Sequence, residues 1–228
     1  MNATVLGLLV GAISACAQPE PLVELTFDAG LQNRGTLGSE AQFEEYVAEE
    51  GPSFTLGRAG AAVTFEASSR SGGTTTTKAG GAVVYTDPGI SGLQEFTVSL
   101  WVFPISTEGP ARLAYLASEW DFMMSNLMPS FKVTTGGQDH FLQPDRDAPR
   151  LDLDAWSFLA ISVDAGAGTA VLYLGTETDA PTPIAKWEDV PPIDAASGRL
   201  EIGNLGGIRP FRGRIDTVRI HGAALSED

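Results

Sequence analysis

The chain has one cysteine, two histidines and about twice as many acidic as basic side chains, and each scarcity closes off a class of function. With Cys16 alone, no disulfide framework can form and no cysteine-zinc spacing exists. His140 and His221 stand far apart, and neither has a metal-ligand neighbour at a spacing such as His-x-His, so both read as surface residues. Against 29 Asp and Glu there are 14 Lys and Arg, giving a formal net charge of −15 that repels phosphate backbones and anionic membranes. Nucleic acid is therefore excluded as a partner. Serine-nucleophile motifs and phosphate-binding glycine loops are also missing.

The longest apolar run, residues 1–17, is too short to span a bilayer and has the length of a signal-peptide core. It lacks a basic n-region, but Ala15-Cys16-Ala17 forms a small-x-small cleavage site before Gln18. Ile13-Ser-Ala-Cys16 also resembles a bacterial lipobox, in which Cys16 would carry lipid and become the N-terminus. Two fates stay open: secretion, or a surface lipoprotein held to the membrane through Cys16 alone. Either places the mature chain in an extracellular or periplasmic setting.

What is present is period-2 patterning. Gly (26) and Pro (14) punctuate short apolar segments, with no repeat of fixed period and no linker, so residues 18–228 read as one domain. Strands are expected at 22–27, 61–65, 81–85, 96–103, 113–117, 120–124, 130–134, 156–163, 169–174, 199–202 and 214–220. Residues 31–56 read as a surface excursion with at most one or two helical turns in 40–50, residues 68–81 as a polar glycine-rich loop, and residues 136–154 as loop. About a dozen short strands without a sustained helical period predict an all-β, two-sheet antiparallel jelly-roll sandwich. Within the last strand, Asp216 shares the parity of Val218 and Ile220, so an apolar face is expected to carry one carboxylate that needs donors or a cation.

Several segments carry a family resemblance. Gly213-Arg-Ile-Asp-Thr-Val-Arg-Ile220 followed by Ala224-Leu-Ser-Glu227 resembles the closing strand of laminin-G-like modules of the concanavalin A-like lectin/glucanase superfamily. Leu25-Thr-Phe-Asp28 resembles the opening strand, and Gly57-Arg-Ala-Gly-Ala-Ala-Val-Thr-Phe65 the second. The segments 96–104, 156–164 and 171–175 resemble the paired central strands. The resemblance implies that first and last strands run side by side, with a structural calcium near Asp28 and Asp216 and a carbonyl such as that of Gly60. The alternative is that Asp216 accepts backbone amides or pairs with Arg58, Arg212 or Arg214.

The function expected is a non-catalytic module that binds a glycan or an extracellular protein. Exposed aromatics beside polar groups suit such binding, and Trp120, Trp187, Tyr46, His140 and Phe141 are the candidates because they fall at strand ends or in loops. Trp101 and Trp156 are assigned to the core. Related jelly-roll glycoside hydrolases place carboxylates at alternate positions of one strand, and Glu119 and Asp121 share that parity. Met123 and Met124 stand where a further glutamate is needed, so the hydrolytic machinery is incomplete. A glycoside hydrolase or polysaccharide lyase is the runner-up, and a structural surface or assembly subunit the third reading.

Overall fold

The computed structural model describes residues 18–67 and 78–226; residues 1–17, the expected signal segment with Cys16, and residues 68–77 of the expected polar loop lie outside the described residues. The elements are β1 (Val23–Leu25), β2 (Gln42–Glu45), β3 (Ser53–Leu56), β4 (Ala61–Glu66), β5 (Gly81–Thr86), β6 (Glu95–Pro104), β7 (Ala111–Leu116) and β8 (Trp120–Ser125). They continue with β9 (Met128–Thr135), β10 (Gln138–Leu142), β11 (Ser157–Asp164), β12 (Thr169–Thr176), β13 (Thr182–Trp187), β14 (Arg199–Ile202) and β15 (Arg212–His221). Two antiparallel sheets form a sandwich, as expected. The first runs β13-β12-β11-β6-β15-β4-β3, with β1 also on β15; the second runs β10-β9-β8-β7-β14-β5-β2. No helix of the described residues is long and apolar enough to cross a membrane.

The inner faces meet in one core. On β6, Phe96, Val98, Leu100 and Val102 are fully buried, and on β8 Trp120, Phe122 and Met124 face them across the sandwich. Phe96, Phe131 and Trp120 form a three-ring cluster, with Trp120 5.8 Å from each of the other two and those two 6.3 Å apart between ring centroids. This overturns the reading of Trp120 as a ligand-binding aromatic. Its parity with Phe122 and Met124 puts it inside, and it is 3 % exposed.

Four strands differ from expectation, and all lie at sheet edges. β2 replaces the expected helical turns because Phe43 pairs with Val83 and packs against the core. β3 pairs with β4, β10 extends the second sheet into the expected 136–154 loop, and β13 caps the first sheet. A strand with one neighbour and little burial carries too few apolar residues to display the period.

The closing strand has the expected place beside β1 but not the expected parity. Ile215 pairs with Val102 and Asp216 with Trp101, and then the register slips so that Arg219 meets Ser99. Thr217 occupies the left-handed region at φ 45° within this bulge. The extra residue restores Val218 and Ile220 to the core after turning Asp216 out. Asp216 therefore faces outward with Trp101 rather than inward with Val218.

Candidate functional site on the outer face of the first sheet

The outer face of the first sheet is built by the alternate residues of its central strands. Register places Trp101 beside Phe158 on β11, and Ala160 beside Tyr173 on β12, while Arg219 stands opposite Ser99 and His221 opposite Thr97. Because Leu100, Val102, Leu159 and Ile161 point inward, the intervening rings must point out, and Trp101 and Phe158 meet edge to face at 5.4 Å. Trp101 is thus half-buried on the surface rather than in the core, and its phase relative to Val98, Leu100 and Val102 was the signal for this. Trp156 is buried, but not between the sheets as expected: it shares the outward parity of Phe158 and packs on outward-facing Phe103 at 5.4 Å.

Two concavities share this face. A groove of about 620 Å³ runs over Ser99, Phe158, Ala160, Tyr173, Arg219 and His221. Its wall is the 18–21 segment, tied down where His221 Nδ1 donates to the Pro19 carbonyl at 3.0 Å. Burial pushes the His221 imidazole toward the neutral form. Phe158, Ala180 and Pro181 continue into a hollow of about 320 Å³, whose other walls are Arg58, Trp101 and the β12–β13 turn from Thr176 to Asp179. In that turn Asp179 accepts the Thr176 hydroxyl at 2.8 Å and the Thr178 hydroxyl at 3.3 Å. The Arg58 guanidinium carbon lies 4.1 Å from the Trp101 ring centroid. Rings, an arginine, carboxylates and hydroxyls around a hollow of this size can hold a polyhydroxylated ring by packing and hydrogen bonds.

Asp28 and Asp216 each bond the main chain at the β3–β4 turn that contains Gly60. Asp28 Oδ1 accepts the Ala61 amide at 2.8 Å, Asp216 Oδ2 accepts the Arg58 amide at 3.0 Å, and the Gly60 carbonyl accepts Gly57 N–H at 2.9 Å. Asp216 Oδ1 takes the Thr217 hydroxyl at 2.9 Å. Gly57 and Gly60 sit where the carboxylates press: a Cβ at Gly57 would come 2.6 Å from Asp216 Oδ2, and one at Gly60 would strike Asp28 Oδ1. Gly60 also has a positive φ of 101°, which favours glycine. The backbone-amide alternative for Asp216 is thus realised, while none of the expected arginine side chains forms an ion pair with it among the described residues.

The remaining expected ligand residues are not collected into one site. Trp187 ends β13 and packs against the core; His140 and Phe141 lie exposed on edge strand β10 of the other sheet. Tyr46 donates its hydroxyl to Glu201 at 2.7 Å, and Arg199 bridges Glu201 and Glu44 beside it. Burial, followed by this hydrogen bond, raises the Tyr46 phenol well above its ordinary range. Trp101, Phe158, Tyr173 and Arg58, which line the face, were not among the candidates.

The carboxylates of the hydrolase comparison are committed elsewhere. Glu119 is fully buried and accepts the Ser91 hydroxyl and the Gly92 and Ala196 amides at 2.7, 2.7 and 2.9 Å, pinning two loops to the start of β8. Asp121, also fully buried, lies 2.6 Å from Arg112 Nε. Among the described residues no group of three or more His, Cys, Asp or Glu is arranged to hold a metal ion.

Comparison with known proteins agrees with this architecture. No curated protein sequence matches the chain. Domain 4 of AbnA, a GH43 extracellular arabinanase from Geobacillus stearothermophilus in complex with arabinotriose, is similar at TM-score 0.65 and 18 % identity, over 91 % of this chain and 94 % of that one. The receptor binding domain of botulinum neurotoxin type G is similar at TM-score 0.60 and 13 % identity, over 91 % of this chain and 49 % of that one. A CBM40 of a Ruminococcus gnavus IT-sialidase, bound to α2,3-sialyllactose, is similar at TM-score 0.50 and 14 % identity, over 61 % and 82 %. At these identities the likeness is one of fold. The family model of the concanavalin A-like lectin/glucanases superfamily, of laminin-G type, matches residues 77–228, two thirds of the chain, and the protein belongs to that superfamily.

Proposed function

We propose that this chain is an exported, non-catalytic module that binds a glycan on the outer face of its first sheet. The observation that carries the reading is the hollow in which Trp101 and Phe158 meet Arg58 and the Thr176–Asp179 rim. Sugars offer apolar C–H faces and rings of hydroxyls, and such a wall matches both. The binding role is supported by similar folds described with arabinotriose and sialyllactose. The non-catalytic role is supported by Glu119, whose oxygens are filled by structural donors, and by Asp121, which is closed off from solvent. Export rests on residues 1–17, with Cys16 either removed or lipidated. A screen of immobilised glycans, followed by calorimetry with arabinotriose and other soluble hits, tests the reading. Trp101→Ala is expected to weaken the hit at least tenfold, about 1.4 kcal/mol or more, with little change in melting temperature because the ring is on the surface. Turnover of any hit, or unchanged affinity in Trp101→Ala, would overturn it.

A structural calcium at the β3–β4 turn belongs to the same proposal. Asp28, Asp216 and the Gly60 carbonyl would hold it, and neither carboxylate has an ion-pair partner among the described residues. These groups give fewer oxygens than the six to eight calcium takes, so water and further carbonyls must complete the shell. Chelation of the purified domain is expected to lower its melting temperature, and Asp216→Asn is expected to abolish that response. Identical melting curves with and without chelator would remove calcium from the proposal.

A further inference from the structure

The β3–β4 turn joins two features that are remote in sequence. Asp216 fixes the main chain of Arg58 through the 3.0 Å bond to its amide, and the Arg58 side chain covers Trp101, the residue paired with Asp216 across β6 and β15. Two local features accompany this contact: the bulge that follows Asp216, with Thr217 left-handed, and Gly57, where any Cβ would collide with Oδ2. An ordinary outward-facing strand residue needs neither. Placed over a ring, a guanidinium spends its face on the ring and keeps its N–H edges for other partners. Among the described residues no carboxylate pairs with Arg58, although it lines a hollow whose rim carries Glu177 and Asp179.

We propose that Asp216 is a positioning residue for the hollow: by fixing the Arg58 amide it holds the guanidinium over Trp101, and Arg58 is the donor that reads ligand oxygens. The donor role rests on the glycan reading; the positioning role does not. Arginine offers five N–H donors and no acceptor, so it selects a sugar edge presenting ring or hydroxyl oxygens as acceptors. The Thr176–Asp179 rim supplies the complementary acceptors for sugar hydroxyls.

The positioning role is read without ligand by acrylamide quenching of tryptophan fluorescence, with Trp101→Phe isolating the Trp101 contribution. Arg58→Ala and Asp216→Ala are each expected to raise the Trp101 quenching constant about twofold, and the double variant no further, because both remove the same cover. Asp216→Asn, which keeps an acceptor for the Arg58 amide, is expected to quench like wild type and serves if Asp216→Ala does not fold. Unchanged quenching in Asp216→Ala, additive effects in the double variant, or exposure of Trp101 in Asp216→Asn would overturn the positioning role. For the donor role, Arg58→Lys is expected to weaken arabinotriose, or the tightest soluble hit, at least tenfold, since an ammonium cannot span two acceptors; an unchanged affinity overturns it. If wild type binds no glycan, the function and the donor role fall together, while quenching still decides Asp216.

Discussion

Arg112→Ala is expected to lower the unfolding free energy by about 3–5 kcal/mol at neutral pH, the usual cost of stranding one member of a buried ion pair. Arg112 lies on β7 and Asp121 on β8, both pointing away from the core yet nine-tenths or more buried. Arg112 Nε approaches Asp121 Oδ2 to 2.6 Å, but off the line that a hydrogen bond needs, and Arg112 Nη1 and Asp121 Oδ1 have no hydrogen-bond partner among the described residues. The pair is therefore held by charge. Burial pushes the Asp121 carboxyl up to about 6, against the opposing pull of Arg112 and then Lys132. A raised carboxyl makes the folded state bind a proton that the unfolded state releases, so between roughly pH 4 and 6 stability from this group grows as pH falls. Without Arg112 the carboxyl rises further and the folded chain takes up its proton at higher pH. Denaturant unfolding at several pH values should therefore show the largest loss in Arg112→Ala near pH 8 and a much smaller one near pH 5. Arg112→Met combined with Asp121→Leu should recover most of the stability. A loss below about 1 kcal/mol at pH 8 would mean that solvent reaches the pair.

The second large effect is expected at Trp120. Removing a ring that packs on both Phe96 and Phe131 deletes buried area and leaves a cavity in the three-ring cluster. Trp120→Ala should cost about 3–5 kcal/mol. For a domain of this size that is a fall in melting temperature on the order of 10 °C. Trp120→Phe should cost far less, because a ring of the same orientation keeps both stacks. If Trp120→Ala melted normally and lost glycan affinity instead, the ring would be a surface binding residue after all. The contrast with Trp101→Ala, which is expected to lose affinity without losing stability, separates the two tryptophans by function.

The sandwich was legible because its central strands alternate. Phe96 to Phe103 or Trp156 to Val163 must bury one side, and β6, β11, β12 and β15 fall close to where that period places them. The edge strands were not legible: β2 reads Gln-Phe-Glu-Glu and β10 Gln-Asp-His-Phe-Leu, sequences whose hydrogen bonding comes from a neighbour and not from their own apolar content. The expectation about Asp28, Gly60 and Asp216 came from the family resemblance; in the structure each aspartate bonds a backbone amide at the β3–β4 turn, Asp28 that of Ala61 and Asp216 that of Arg58. The outward aim of Asp216 was hidden because a bulge changes parity at Thr217, and threonine gives no warning of a left-handed φ. The aromatic hollow on the outer face is hidden in the sequence for a different reason. Rings were sought at strand ends, whereas Trp101 and Phe158 lie mid-strand on the side opposite to a continuous apolar row, and Arg58 becomes their neighbour only when the turn folds over the sheet.

The place of β15 has a consequence for biogenesis. This strand lies between β6 and β4 and also carries β1, so it joins both halves of the first sheet. Until residues 212–221 have been synthesised and delivered, β6 and β4 each present an open edge, and the opening strand has nothing to pair with. Closure of the sheet must await residues 212–221, and long-range closure of this kind is slow. A sheet that stays open until β15 arrives depends on protection from aggregation while it waits.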